Sequence, residues 1–325
     1  MNAPYACFCQ LGDLSGSAGF LRETRHRLHS KPELSFEEVE TSELVATLLT
    51  EWGYQVTRNV GGHGVVGTLK VGDGPRSVAV RADMDALPIA EETGKPHASR
   101  VPGVMHACGH DGHTTMLLGA AKQLAKTRNF SGTVHLVFQP AEEAGQGSGA
   151  QRMIADGLFE RFPCEAIFGL HNHPGVAAGT FLFGSGPLTS ASDTAKIVIR
   201  GKGGHAARPH LSVDPVMIAG SLIMALQGVV SRNIDPTQTA IVTIGTVHAG
   251  IAANVIPDSA TMELSIRSFD PAVRERLEAR ITGLVKSHVE GYGGSVEIDY
   301  QRGYPVVVNS PAETGFAIGV ARELV

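Results

Sequence analysis

The 325-residue sequence predicts an α/β domain with a mainly parallel sheet flanked by helices, interrupted by an inserted α+β domain of ferredoxin-like order. Three observations carry this reading. Short, continuous apolar runs alternate with helical patterns through the first half, as expected of strands covered on both faces. Three of those runs end in acids or imidazoles. From residue 194 the rhythm changes to β-α-β-β-α-β.

A first helix is expected over residues 20–28. A second is marked by Ser35 and Glu38, which have capping-box spacing. Val39, Leu44, Val45, Leu48, Leu49 and Trp52 follow at helical intervals, and Gly53 ends the run. The runs "GVVGTLKV" (64–71), "SVAV" (77–80), "TVHLVF" (133–138) and "AIFGL" (166–170) read as strands, with a helix over 114–126. The inserted segment reads as a strand (194–200), a helix (213–232), strands (239–246 and 260–267), a helix (271–289) and a strand (295–301). A helix-forming stretch from Pro311 is expected to return to the first domain. The expected division is therefore 1–190 with 302–325, and 191–301.

Composition narrows the function. Apolar content of 42% and charged content of 18% are globular values. A net charge of −5 argues against a nucleic-acid partner. Fourteen histidines stand against four cysteines, and Cys7, Cys9, Cys108 and Cys164 form neither a zinc knuckle nor a disulfide framework. The cytoplasm is the expected compartment. The first basic residue is Arg22, so the amino-terminal stretch lacks the charged start of a signal peptide. The longest apolar stretch, "VMIAGSLIMALQGVV" (216–230), is shorter than a membrane span and reads as a buried helix; no membrane association is expected.

The three strand ends supply the chemistry. In open α/β sheets, ligands bind beyond the carboxyl ends of the strands. "SVAV" runs into Asp83 and Asp85, "TVHLVF" into Glu142 and Glu143, and "AIFGL" into His171 and His173. The segment "HACGHDGH" (106–113) adds Cys108 and His110, a thiolate and an imidazole suited to zinc or a similar divalent ion. His106 and His113 are expected to support the site. In an extended segment adjacent side chains point to opposite sides. One glutamate then binds metal while the other serves as general base toward water. His171, nearest its strand, is the better ligand of its pair. Asp83 and Asp85 lie at i and i+2, on one face, as ligands or as partners of a ligand histidine.

Together, "RADMDALP", "HACGHDGH", "FQPAEE", "GLHNHP", "GGHAARPH" and "NVIPDSA" resemble the signatures of the hippurate hydrolase and aminoacylase-like amidohydrolases. That family includes hydrolases of indole-acetyl amino acids and is related to the two-metal carboxypeptidases. The resemblance runs in matching order from about residue 21 to the end. It implies two divalent ions, Zn, Mn or similar, and cleavage of the amide bond of an N-acyl amino acid. Cys108, His110, Glu143 and His171 match metal ligands, Glu142 the general base, and Asp85 a supporting acid. Asp83 stands where the related carboxypeptidases carry a histidine, and its role is open. The resemblance further implies a homodimer joined through the inserted dimerisation (lid) domain. There His205 stabilises the oxyanion in the partner subunit's site, and Asn254 contacts substrate. Arg267 is a candidate for the substrate carboxylate.

The family's remaining ligand histidine follows the helix that begins near Pro311, whereas no histidine occurs here after His288. The expectation is a truncated member, with weak retention of one metal and little or no turnover. The alternative function is thus a metal-binding or dimerising homologue without activity. A zinc deaminase is disfavoured, because the H-x-E with P-C-x-x-C signature is absent.

Overall fold

The computed structural model describes residues 14–323, which fall into two compact units within Met1–Thr180 and Phe181–Val325. Cys7 and Cys9 lie outside the described residues, as does the amino-terminal stretch read for a signal peptide up to Asp13.

The first unit runs α1 (Ala18–Ser30), α2 (Val39–Glu51), β1 (Gln55–Val60), β2 (Gly64–Val71), β3 (Ser77–Asp83), α3 (His110–Thr127), β4 (Gly132–Gln139), α4 (Gly149–Ala155), α5 (Leu158–Arg161) and β5 (Ala166–Gly169). Its sheet has the order β1-β2-β4-β3-β5. The half that bears the site, β4-β3-β5, is parallel; β1 and β2 extend it antiparallel, so the sheet as a whole is mixed. Both faces are covered, as the apolar runs required. Val45 and Leu49 of α2 and Leu117 and Leu118 of α3 pack with Leu136 and Phe138 on one face. Met153 and Leu158 pack with Val66 and Val137 on the other. Burial of each such large apolar side chain contributes about 1.5–3 kcal/mol.

The expected capping box does not form. Neither Ser35 nor Glu38 caps α2. The carboxylate of Glu33 does so instead, accepting the N–H groups of Glu40 (2.9 Å) and Thr41 (2.8 Å), the second and third residues of the helix. Ser35 and Glu38 turn toward the site described below.

The second unit runs β6 (Gly186–Thr189), β7 (Ala191–Arg200), β8 (Gly204–His205), α6 (Pro215–Asn233), β9 (Ala240–Ala249), β10 (Val255–Ile256), β11 (Ser259–Ser268), α7 (Pro271–Gly291), β12 (Ser295–Arg302), β13 (Val307–Asn309) and α8 (Pro311–Arg322). Its four-stranded sheet, β12-β7-β11-β9, is antiparallel throughout, which is the ferredoxin-like arrangement read from the element order. Asp214 and Asp270 cap the two long helices by accepting N–H groups of the first turn, and a proline follows each at the first helical position. Helix α6 is longer than the apolar stretch suggested, and by length and composition it meets the criterion for a membrane span. Its Ile218, Leu222, Leu226 and Val229 are nevertheless buried with Ile197, Met262 and Leu264 of the sheet and Leu277 and Ile281 of α7.

Candidate metal centre

Parallel pairing puts the carboxyl ends of β3, β4 and β5 on one edge, with Asp83 opposite Gln139 and Arg81 opposite Gly169. Beyond that edge lie Asp85, the Glu142–Glu143 pair and His171. A bridge between Leu87 and Met105 brings the Cys108 loop alongside. Gly109 has φ +86°, and a Cβ there would stand 2.6 Å from Asn172 Oδ1, so only glycine fits between Cys108 and His110. Helix α3 starts at His110, four residues earlier than the sequence suggested.

The expected ligands converge. Donor atoms of Cys108, His110 and His171 lie within 4.8 Å of one another, as do those of His110, Glu142 and Glu143. His110 is fully buried. Its Nδ1 donates to Asp85 Oδ1 at 3.3 Å, so Nε2 is the nitrogen turned to the other acids, buried with no hydrogen-bond partner, 3.7 Å from Asp83 Oδ2 and 3.9 Å from Glu143 Oε1. His171 repeats the arrangement on the surface. Its Nδ1 donates to the Asn172 carbonyl at 2.7 Å, and Nε2 lies 3.4 Å from Cys108 Sγ. An orphaned imidazole nitrogen facing carboxylates and a thiol is a donor set that fits a borderline divalent cation.

Charge in the site supports the same conclusion. Burial opposes a charge on His110, but the Asp85 hydrogen bond, the contact with Cys108 and the field of Asp83 outweigh it and push its pKa up to about 11. The Cys108 contact raises His171 to about 9, against burial. The neighbouring imidazoles of His110 and His171 hold the Cys108 thiol below its ordinary range. Surroundings that favour a proton on two imidazoles favour any cation. Glu142 is shifted the other way for a carboxyl: burial, and then the charge of Glu143, raise it. That is the direction a general base at neutral pH requires.

Asp85 organises the centre. Besides His110, its carboxylate accepts the Glu142 N–H (3.0 Å), the Glu143 N–H (2.9 Å) and the Ser35 hydroxyl (2.7 Å). Asp83, whose role the sequence left open, accepts from Arg81 Nη1 at 2.7 Å and His113 Nδ1 at 2.6 Å. Burial works against its charge, and these partners hold it well below the usual carboxylate range. His113 then accepts the Asn172 N–H on Nε2 at 3.0 Å, and its donor atom also lies within 4.8 Å of those of Asp83 and His110. His106 is buried, with both ring nitrogens unpartnered, and burial lowers its pKa to about 4. His173 is exposed and contacts the Pro174 carbonyl.

One expectation is corrected. The glutamate pair does not follow an extended course with its side chains on opposite sides. Ala141 has φ +47° and residues 142–144 turn, so both carboxylates approach His110. Sequence reading also missed Ser35, Glu38, His113 as the Asp83–Asn172 link, and His29. The last bridges Asp111 Oδ2 (2.9 Å) at the start of α3 to Glu91 Oε1 (3.3 Å). The S-x-x-E spacing was a signal for the first two, assigned to the wrong task.

In the second unit His205 and Asn254 come together. β8 pairs with β10, and Ala206 N–H donates to the Asn254 carbonyl at 3.1 Å. His205 Nδ1 accepts the Ala207 N–H at 3.1 Å, which leaves Nε2 as the protonated, donating nitrogen of an exposed ring. A Cβ on the neighbouring Gly204 would meet Ser212 Oγ at 2.3 Å, so a larger residue there would make the Ser212 side chain turn away. Arg267 lies on β11, between Ser192 and Ile241.

Comparison with known proteins gives this geometry a family. The sequence model of peptidase family M20/M25/M40 matches residues 79–325. The hippurate hydrolase of Campylobacter jejuni is 45% identical over 306 residues, covering 94% of this chain and 79% of that protein. The N-acetyl-L-cysteine deacetylase of Bacillus subtilis is 42% identical over 301 residues, 92% of this chain and 71% of that protein. Among solved structures, the Bacillus subtilis YXEP protein, described as a dinuclear metal-binding peptidase of the M20 family, superposes with a TM-score of 0.77. It is 36% identical, over 94% of this chain and 80% of that one. The chain belongs to peptidase family M20/M25/M40 and is an amidohydrolase of the metallopeptidase type.

Proposed function

We propose that this enzyme hydrolyses the amide bond of N-acyl amino acids of the hippurate type, releasing a carboxylic acid and an amino acid. The observation that carries the reading is the convergence of Cys108, His110, Glu143 and His171 beside Glu142, with the Nε2 of His110 unpartnered. The names of the hippurate hydrolase and the N-acetyl-L-cysteine deacetylase support the substrate class. Those four residues would hold two divalent ions, Zn, Mn or similar, with Asp85 orienting His110. Bound divalent cations supply Lewis acidity to water and to the amide carbonyl.

The remaining steps belong to side chains. Glu142 takes a proton from the attacking water and delivers it to the departing nitrogen, a task that its raised pKa suits. His205 donates from Nε2 to the carbonyl oxygen as charge builds there. We assign it to the partner subunit's site in a homodimer formed through residues 191–301. Asn254 contacts the substrate beside it, and Arg267 pairs with the substrate carboxylate. A cytoplasmic location suits such a reaction.

The test is a panel of N-acyl amino acids, hippurate included, offered to the protein loaded with Zn or Mn. Release of the free amino acid supports the reading. Stoichiometric metal binding with no turnover across the panel would favour a metal-binding homologue without activity.

A further inference from the structure

We propose that Glu38 is a positioning residue for the hydrolytic reaction: its buried carboxylate fixes the peptide from which Glu142 departs. The inference rests on the reading of Glu142 as the proton-transferring group.

Three successive N–H groups, those of Ala141, Glu142 and Glu143, are taken by two buried carboxylates. Asp85 accepts the latter two, and Glu38 Oε1 accepts that of Ala141 at 2.7 Å. Glu38 has no exposed surface, and its Oε2 has no hydrogen-bond partner. This acid, placed at the start of α2, does not cap the helix with its side chain; Glu33 already does that. Its anchor is rigid, because α2 is fixed in the core through Val45 and Leu49.

The backbone held by Glu38 needs holding. Ala141 lies in the left-handed region at φ +47°, which an L-residue with a Cβ enters at a cost. This conformation turns the chain so that Glu142 and Glu143 face His110 together. Without an acceptor, the Ala141 N–H would be buried and unpaired, and both penalties would be relieved if the segment returned to an extended course. Glu142 would then move away from the centre. Ser35 joins the same device, since its hydroxyl holds Asp85 Oδ2 at 2.7 Å. The stretch 35–38 therefore supplies one of the two acids that cradle the glutamate turn and braces the other.

The experiment compares Glu38→Ala, Glu38→Gln and Glu38→Asp with the parent, alone and combined with Glu142→Gln. Glutamine keeps an acceptor oxygen, alanine removes it, and aspartate withdraws it by one methylene. Glu38→Ala is expected to lower kcat by about 10- to 100-fold with a much smaller change in KM. Glu38→Gln keeps most of the parental kcat. In the Glu142→Gln background at saturating metal, Glu38→Ala should add little further loss of kcat, because the proton-transferring group it positions is already inert. Independently of activity, amide hydrogen exchange of the 140–144 segment in the metal-free protein should be slow in the parent and Glu38→Gln, and fast in Glu38→Ala. If Glu38→Ala does not fold, Glu38→Asp carries the same expectations. Full kcat in Glu38→Ala or Glu38→Asp, or unchanged exchange, overturns the proposal while the role of Glu142 stands. An equal additional loss on top of Glu142→Gln also overturns it, since the effect would then be general. Parental turnover by Glu142→Gln overturns the reading of the base, and this inference with it.

Discussion

Asp85 Oδ1 lies 3.3 Å from His110 Nδ1, and that contact decides which nitrogen of the buried ring is left for a cation. The same carboxylate holds the Glu142 and Glu143 amides, so the proposed ligand and the proposed base share one support. Asp85→Asn turns one acceptor oxygen into a donor that opposes those N–H groups. Metal affinity is expected to fall by about 10- to 100-fold, as for other groups that orient ligand histidines. Calorimetric metal titration of the variant measures this; parental affinity would remove Asp85 from its supporting role.

The adjacent glutamates should separate by function. Glu142→Gln is expected to retain metal content and lose turnover, because it keeps size and polarity but cannot accept a proton. Glu143→Gln should lose metal affinity first, through the donor that faces His110 Nε2. Metal analysis after dialysis, paired with hippurate kinetics, distinguishes them. Equal loss of metal in both variants would contradict the division.

Cys108 is held toward the thiolate by its imidazole neighbours, so thiol reagents should label it quickly in the metal-free protein. Coordination occupies the sulfur lone pair, and added Zn should slow the labelling. Cys164 serves as an internal control, since burial raises its thiol pKa. Equal rates at Cys108 with and without metal would count against coordination.

These sites were legible to different depths, for physical reasons. β2 matches its apolar run residue for residue, because a strand buried on both faces leaves an unbroken hydrophobic signature. β1, "QVTRNV", lies at the sheet edge with mostly exposed polar side chains, and such a strand leaves almost none. The start of α3 was invisible because a left-handed glycine, with no capping side chain, precedes it. The residues at the three strand ends were readable since topology alone gathers them. Ser35 and Glu38 were not, because their spacing also suits a helix cap, and only the position of Glu33 shows that the cap is already supplied. The turn at Ala141 was hidden for a related reason: nothing local to "QPAEE" signals a left-handed alanine held by a glutamate about a hundred residues earlier.

His205 should act on the partner subunit's chemistry. Its donor nitrogen is free because Nδ1 is engaged by the Ala207 N–H. Mixing Glu142→Gln with His205→Ala, each inactive alone, should restore part of the activity, as a mixed dimer assembles one site free of both lesions. Absence of recovery, with subunit exchange demonstrated by a tagged copy, would place His205 in its own subunit's site or outside catalysis.

Glu38 also predicts a pH dependence of stability. Burial, reinforced by the negative charge of Asp85, raises its pKa from 4.5 to about 7 against the pull of its backbone hydrogen bonds. Between these values the folded chain holds a proton that the unfolded chain has released, so stability must fall as pH rises. The contribution is fully present below about 4.5 and is lost as pH passes through about 7. Its upper size is on the order of 3 kcal/mol. Glu38→Gln imitates the neutral acid and keeps an acceptor for the Ala141 N–H, so it should lack this decline. Urea midpoints of the metal-free parent and Glu38→Gln, followed from pH 4.5 to 8, should therefore diverge with rising pH in favour of the variant. Parallel profiles would mean that Glu38 stays ionised throughout, with an acceptor environment better than its unpartnered Oε2 indicates.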